Sequence, residues 1–197
     1  MREGLRLIVV LTAVSLLAGA ALAFTYEATL PRIRLNEAKA RQEALKEVIP
    51  ATASFQTLKL RVELPGVGGK RQAKDLEVYR CLDRAGNLAG LAYIAEPSGF
   101  ADVIQVMVGL DPVNRKVLAI RVLDLKETPG LGMKVKEEQF TRQFKGKSLD
   151  DAFAAARSGG DVQAVTGATI SSKAVARGVK ESAEAVVAAY AKEEGRP

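Results

Sequence analysis

From Leu7 to Phe24 the chain carries no charged residue, running Leu-Ile-Val-Val-Leu-Thr-Ala-Val-Ser-Leu-Leu-Ala-Gly-Ala-Ala-Leu-Ala-Phe. At about 1.5 Å per helical residue, that run with its flanks matches a hydrocarbon core roughly 30 Å thick. Such a stretch is either a retained membrane helix or a cleaved leader. Ala21-Leu22-Ala23 has the small-x-small form of a cleavage site. A leader's apolar stretch, however, is usually about 7–15 residues, shorter than this one. The length favours a retained anchor over residues 1–26. Arg2 and Arg6 precede the run while Arg32, Arg34, Lys39 and Arg41 follow it, so the count of positive residues chooses no orientation. A single span without an ionisable side chain forms no ion path by itself.

Past the span, Pro31 to Val48 reads as a helix with proline in its first turn and Pro50 just beyond its end. Ile33, Ala38, Leu45 and Val48 form its candidate apolar stripe, within a connecting segment of residues 27–50 that either extends the membrane helix or leans on the globular domain. Strand-like stretches follow at Phe55–Leu64, Leu76–Leu82, Leu88–Ala95, Val103–Leu110 and Val117–Leu125. The loops between them, such as Asp83-Arg84-Ala85-Gly86-Asn87 and Asp111-Pro112-Val113-Asn114-Arg115, are too short for helical crossovers. They predict an antiparallel sheet. Pro65-Gly66-Val67-Gly68-Gly69 lacks the Lys-Ser/Thr ending of a phosphate loop and reads as a turn. Gln139–Phe144 reads as a short helix or turn, and Ser158-Gly159-Gly160-Asp161 as a loop. A last helix is predicted from about Ser172 to Tyr190, with Val175, Val179, Ala183, Val186 and Tyr190 on one face. Lys173, Arg177 and Lys180 share another face, solvated in the simplest reading and phosphate-neutralising in the alternative. The fold class expected is α+β: one transmembrane helix, then a mainly antiparallel sheet flanked by helices.

Composition removes whole classes of chemistry. The chain has no histidine and a single cysteine, Cys81, which the flanking Val78-Tyr79-Arg80 and Leu82 place in a strand. Zinc, haem and iron–sulfur sites need several imidazole or thiolate ligands, so a protein-held metal centre is not expected. Histidine-based acid–base and triad catalysis are excluded as well. Redox chemistry, if any, comes from a bound organic cofactor. The net charge of +6 is spread along the chain without interleaved aromatics, unlike a nucleic-acid-binding footprint.

The most informative stretch is Val165-Thr166-Gly167-Ala168-Thr169-Ile170-Ser171-Ser172. Hydroxyls flank a Gly-Ala pair just ahead of the last helical pattern. The small residues let a bulky group approach the backbone. A helix start offers unpaired N–H groups and the positive end of its dipole, which suits a phosphate. The plainer alternative is that Thr169, Ser171 or Ser172 caps the helix. Upstream, Glu127-Thr128-Pro129-Gly130-Leu131-Gly132-Met133-Lys134 is a shaped loop after a strand, a turn by default and a ligand wall in the alternative.

Thr166-Gly167-Ala168-Thr169-Ile170-Ser171-Ser172 resembles the flavinylation motif [ST]-G-A-T-x-[ST]-S of FMN-binding domains, in which the second threonine carries FMN through a phosphoester. The stretch from about Glu47 to Ala189 resembles the FMN-binding G subunit of Rnf-type electron-transport complexes. The likeness also lies in Ala44–Pro50, in Gly99-Phe100 with Ile104–Asp111, in Glu127–Gly132 and in Gln143–Lys147. The family motif has Asp three residues before its first Ser/Thr, where this chain has Gln163, with Asp161 two positions earlier. The resemblance implies an FMN-binding domain over residues 51–197, outside the cytoplasm on the periplasmic side of the cell membrane. It implies covalent FMN on Thr169, with Thr166, Gly167 and Ala168 also cofactor-binding, Ser171 or Ser172 at the phosphate, and Thr128 and Leu131 against the ring. Glu127 is expected to brace the loop instead of touching flavin. The implied partners are a flavin transferase and the membrane and iron–sulfur subunits of a complex coupling ferredoxin and NAD chemistry to Na⁺ or H⁺ movement. Three alternatives stand beside it: the C subunit of the sodium-pumping NADH:quinone reductase, a membrane-tethered FMN- or phosphate-binding sensory module, and an unflavinylated assembly protein.

Overall fold

The computed structural model describes residues 2–65, 71–154 and 160–195. The predicted turn at Gly66–Gly69 and the Ser158-Gly159 part of the predicted loop lie outside them. The chain divides into two compact units, Met1–Ala40 and Arg41–Pro197.

Helix α1 runs from Arg2 to Val48 and is long and apolar enough to cross a membrane. Pro31 lies inside it, so the connecting helix extends the membrane helix, one of the two arrangements expected. Proline removes one backbone donor from a helix interior. One turn earlier, the Thr29 hydroxyl donates to the Thr25 carbonyl at 2.9 Å, and Thr25 in turn donates to the Ala21 carbonyl at 2.8 Å. Only the last two residues of the expected stripe, Leu45 and Val48, are buried, together with Ala44; Ile33 and Ala38 are exposed. These buried residues belong to the second unit, where they cover part of its sheet.

That second unit is built on a five-stranded antiparallel meander, β1 Ser54–Pro65, β2 Arg71–Leu82, β3 Leu88–Ala95, β4 Gln105–Asp111 and β5 Lys116–Asp124, paired in chain order. β2 starts five residues before the apolar pattern suggests. Its added residues, polar except Ala73, form a two-stranded ribbon with β1, Pro65 opposite Arg71 and Leu60 opposite Leu76. β4 starts two residues later than predicted, since Val103 is held in an isolated bridge to Ser98. β4 is buried on both faces, which is why its sequence is a continuous apolar run.

Alternation divides the strands between two cores. Leu91, Tyr93, Ala95, Val106, Val108 and Leu110 point to one face, which α3 (Thr169–Glu193) covers with Val175, Val179, Ala183, Val186 and Tyr190. These five are the predicted helix face, and all are buried. Ala92, Met107 and Cys81 point to the other face, under Ala44, Leu45, Val48 and Ile49. Cys81 is fully buried in β2, and burial pushes its thiol pKa up. Between β5 and α3 the chain forms a 3₁₀ turn at Gly132–Lys136, helix α2 at Glu138–Thr141 and a second 3₁₀ turn at Arg142–Phe144. Phe140, Phe144 and Phe153 anchor this segment on the larger core.

Candidate functional site

α3 begins at Thr169, three residues before the sequence pattern places it. Its N-cap is Ala168, and no side chain caps the helix, so the capping roles considered for Thr169, Ser171 and Ser172 are not realised. The two serines are buried and turned inward. Ser172 Oγ accepts the Val165 N–H at 3.0 Å, and Ser171 Oγ donates to Glu127 Oε2 at 3.1 Å. Thr169 is exposed. No side chain caps the first turn of this 25-residue helix, and its first residue, Thr169, carries an accessible hydroxyl.

Two glycine turns face each other here. In the first, the Thr128 carbonyl accepts the Leu131 N–H at 3.2 Å, with Pro129 and Gly130 between and Gly130 at φ +76°. In the second, the Val165 carbonyl accepts the Ala168 N–H at 2.9 Å, with Gly167 at φ +81°. Proline second and a positive-φ glycine third is the chemistry such turns favour. A Cβ on Gly167 would sit 2.7 Å from Leu131 Cδ2, so glycine is also what lets the turns approach.

A third wall comes from the loop between β3 and β4. Gly99 N–H donates to the Asp102 carbonyl and Ile104 N–H to the Pro97 carbonyl, each at 2.9 Å, so the loop closes as a small hairpin with Phe100 near its tip. The Asp102 carboxyl is held below the usual carboxylate range by the Val103 N–H and by Lys126. Phe100 is 67% exposed, and Leu131 and Ile170 are 46% and 55% exposed. These apolar surfaces surround one groove of about 400 Å³ that also takes in Glu127, Thr128, Gly132, Gly167, Ala168, Thr169 and Ser171. That volume is in the range of small-molecule sites, roughly 300–1,000 Å³.

Of the eight residues singled out from the sequence, Thr128, Leu131, Gly167, Ala168, Thr169 and Ser171 line this groove. Thr166 lines a neighbouring, more polar groove of about 570 Å³ with Lys134, Arg142, Gln143 and Gln163. Ser172 lies behind the wall, 1% exposed. Phe100 is a wall residue that the sequence reading does not single out. An exposed aromatic following glycine, in a chain with 5% aromatics, is the signal that marks it.

The segment ahead of the motif is held by side chains. Gln143 accepts the Gln163 N–H at 2.7 Å through Oε1 and donates to its carbonyl at 3.2 Å through Nε2. Asp161 is ion-paired with Lys147, whose ammonium also lies 5.3 Å from the Phe153 ring centre. Asp161 is therefore paired with Lys147 at the surface, two positions from the place where the family motif has its Asp. The basic face of α3 is mixed: Lys173 and Arg177 are exposed, while Lys180 donates to the Asp151 carbonyl at 2.9 Å. Among the described residues no group of acidic or cysteine side chains is arranged to hold a metal ion.

The chain has relatives among known proteins. Residues 99–184 match the FMN-binding domain family. The chain is 31% identical to the G subunit of the ion-translocating oxidoreductase complex of Methanosarcina acetivorans, over 88% of this chain and 89% of that one. It is equally 31% identical to the G subunit of the Na⁺-translocating ferredoxin:NAD⁺ oxidoreductase complex of Acetobacterium woodii, over 88% and 86%. A proton-translocating counterpart from Clostridium ljungdahlii is 39% identical over 49% of this chain and 54% of that one. The crystal structure of Shewanella oneidensis NqrC aligns with a TM-score of 0.49 at 23% identity, covering 68% of this chain and 66% of that one. With a matching domain around the groove and relatives aligned over most of their length, the chain belongs to the family of G subunits of ion-translocating oxidoreductase complexes.

Proposed function

We propose that this chain is a single-pass, membrane-anchored flavoprotein subunit relaying electrons through FMN esterified to Thr169, within an Rnf-type ion-pumping ferredoxin/NAD oxidoreductase complex. One observation carries it: an exposed threonine hydroxyl in the uncapped first turn of α3, on the rim of a groove walled by exposed apolar side chains. The residues suit both ends of FMN. The N–H groups of the first turn favour a phosphate, and Phe100, Leu131 and Ile170 offer apolar surface to a flat ring. FMN supplies the ability to exchange one or two electrons, which no side chain of this chain has.

In this proposal Thr169 is the covalent anchor, and Gly167 and Ala168 leave room for the phosphate. Thr128 and Leu131 flank the ring. Ser171 and Ser172 hold the turn from behind, and Thr166 lies at the neighbouring groove beside Gln163. Residues 1–26 anchor the chain and 27–50 connect it to the FMN-binding domain of residues 51–197, on the extracytoplasmic, periplasmic side. The chain turns over no diffusible substrate alone, and partner membrane and iron–sulfur subunits supply the ion path and neighbouring carriers. Gln163 favours one second reading, an unflavinylated assembly or sensory protein, because Asp161 is engaged with Lys147 and the motif's Asp has no substitute.

Intact-mass and peptide-mass measurement on the full chain, co-expressed with a flavin transferase, separates the two. The expected result is one added FMN on the peptide bearing Thr169, absent in Thr169→Val. An unmodified wild-type chain beside a flavinylated control substrate supports the assembly reading, and Gln163→Asp then tests whether that position alone blocks modification.

A further inference from the structure

Glu127 is the only buried acidic side chain among the described residues, at 6% exposure. Its carboxylate joins segments far apart in sequence. Oε1 accepts the N–H groups of Phe100 at 2.7 Å and Ala101 at 3.3 Å, and Oε2 accepts the Ser171 hydroxyl at 3.1 Å. Two glycines make room for it. A Cβ on Gly99 would lie 2.1 Å from Oε1, and one on Gly132 would lie 2.7 Å from the Glu127 Cβ. No lysine or arginine among the described residues pairs with it. A buried anion held only by neutral donors keeps its field, and a low-dielectric surrounding strengthens that field. Glu127 forms part of the wall of the Thr169 groove.

We infer that Glu127 is a positioning residue with an electrostatic consequence: its carboxylate ties the Phe100 loop, the Thr128–Leu131 turn and α3 into one groove, and its charge lowers the potential of a flavin held there. The inference rests on the proposed FMN site. Two electrons taken up by a flavin with one proton leave the ring one charge more negative, whereas two electrons with two protons leave it neutral. A fixed anion at the wall opposes the first outcome and favours the second. Glu127 thereby lowers the midpoint potential and links reduction more tightly to proton uptake.

The test uses the full chain co-expressed with a flavin transferase, as wild type, Glu127→Gln, Glu127→Ala and Ser171→Ala. Glutamine keeps the shape, accepting from the two backbone amides and donating to the Ser171 hydroxyl, while removing the charge. In a dithionite titration with mediators, Glu127→Gln is expected to have a higher midpoint potential and a shallower pH dependence than wild type. Ser171→Ala keeps the charge and shifts less. Amide hydrogen exchange supplies a readout that needs no flavin. Exchange at Phe100 and Ala101 is expected to rise roughly tenfold or more in Glu127→Ala and to stay near wild type in Glu127→Gln. An unchanged potential in flavinylated Glu127→Gln overturns the electrostatic role, and unchanged exchange in Glu127→Ala overturns the positioning role. Absence of FMN from the wild-type chain, seen by mass before any titration, sinks the proposed function and the electrostatic role together, and leaves the exchange comparison to judge the positioning role alone.

Discussion

The two faces of the sheet are covered in different ways, and only one of them carries the site. On one face α3 lays a full-length stripe against strands β1 to β4 and, with Phe140, Phe144 and Phe153, closes a core that runs to the edge of the Thr169 groove. On the other, the last residues of α1 press a small cluster onto Ala92, Met107 and Cys81. The difference lies in how each helix gains contact. α3 does so through branched side chains in the usual way. α1 adds a close backbone approach to its few buried side chains, since a Cβ on Gly109 would lie 2.7 Å from the Val48 carbonyl. Stability and site geometry are therefore coupled on the first face and separable on the second.

The largest test of that separation is Phe144→Ala. Phe144 is fully buried between Phe140 and Phe153, so truncation is expected to cost about 3–5 kcal/mol in denaturant titration of the detergent-solubilised chain. Its neighbour Gln143 holds the Gln163 backbone, so the same variant should also carry less flavin per folded molecule. Full loading in a destabilised Phe144→Ala protein would break the proposed coupling.

Gly109→Ala probes the opposite face. Its added methyl must push the end of α1 away, at an expected cost of about 1–3 kcal/mol. Loading of the folded fraction should stay at the wild-type level. A loss of flavin equal to that of Phe144→Ala would show that the faces do not act separately.

Tyr93→Phe is the smallest step. Its hydroxyl meets Ser182 Oγ at 3.1 Å inside the larger core, and removing it is expected to cost about 1 kcal/mol at neutral pH. Burial also pushes the Tyr93 phenol well above its ordinary range. A group whose folded pKa is raised contributes fully below its unfolded value, about 10 for tyrosine, and that contribution is lost as pH rises above it. Wild type should therefore lose stability above pH about 10, and Tyr93→Phe should lose less over the same window. Part of the alkaline loss persists in the variant, because the Cys81 thiol is raised by burial in the same way. Parallel pH profiles for the two proteins would remove Tyr93 as the cause.

Periodicity and turn chemistry made much of the fold legible. β3 matches its predicted limits of Leu88 and Ala95, and the α3 face of Val175, Val179, Ala183, Val186 and Tyr190 packs as one stripe. The start of β2 was not legible, since Arg71–Asp75 carries no apolar alternation and is ordered by pairing to β1. The start of α3 was missed because its first residues are exposed or turned toward other segments, and no side chain marks the cap. In the site, Thr169, Thr128 and Leu131 stood out as local motifs. Their shared groove did not, because it depends on two turns separated by more than thirty residues.

The sequence by itself determined the elements and the chemistry open to them: one uncharged span, a meander of short strands, a hydroxyl-rich helix start, and no histidine or cysteine set for zinc, haem or an iron–sulfur cluster. Those follow from local periodicity, steric limits at glycine and proline, and composition, none of which needs distant residues. Tertiary structure alone decided that Ser171 and Ser172 face inward while Thr169 faces out, that Asp161 belongs to Lys147, and that Glu127 closes on Phe100, Ala101 and Ser171. A side chain's partner is set by which backbones the packed core brings within about 3 Å, and no spacing along the chain encodes that distance.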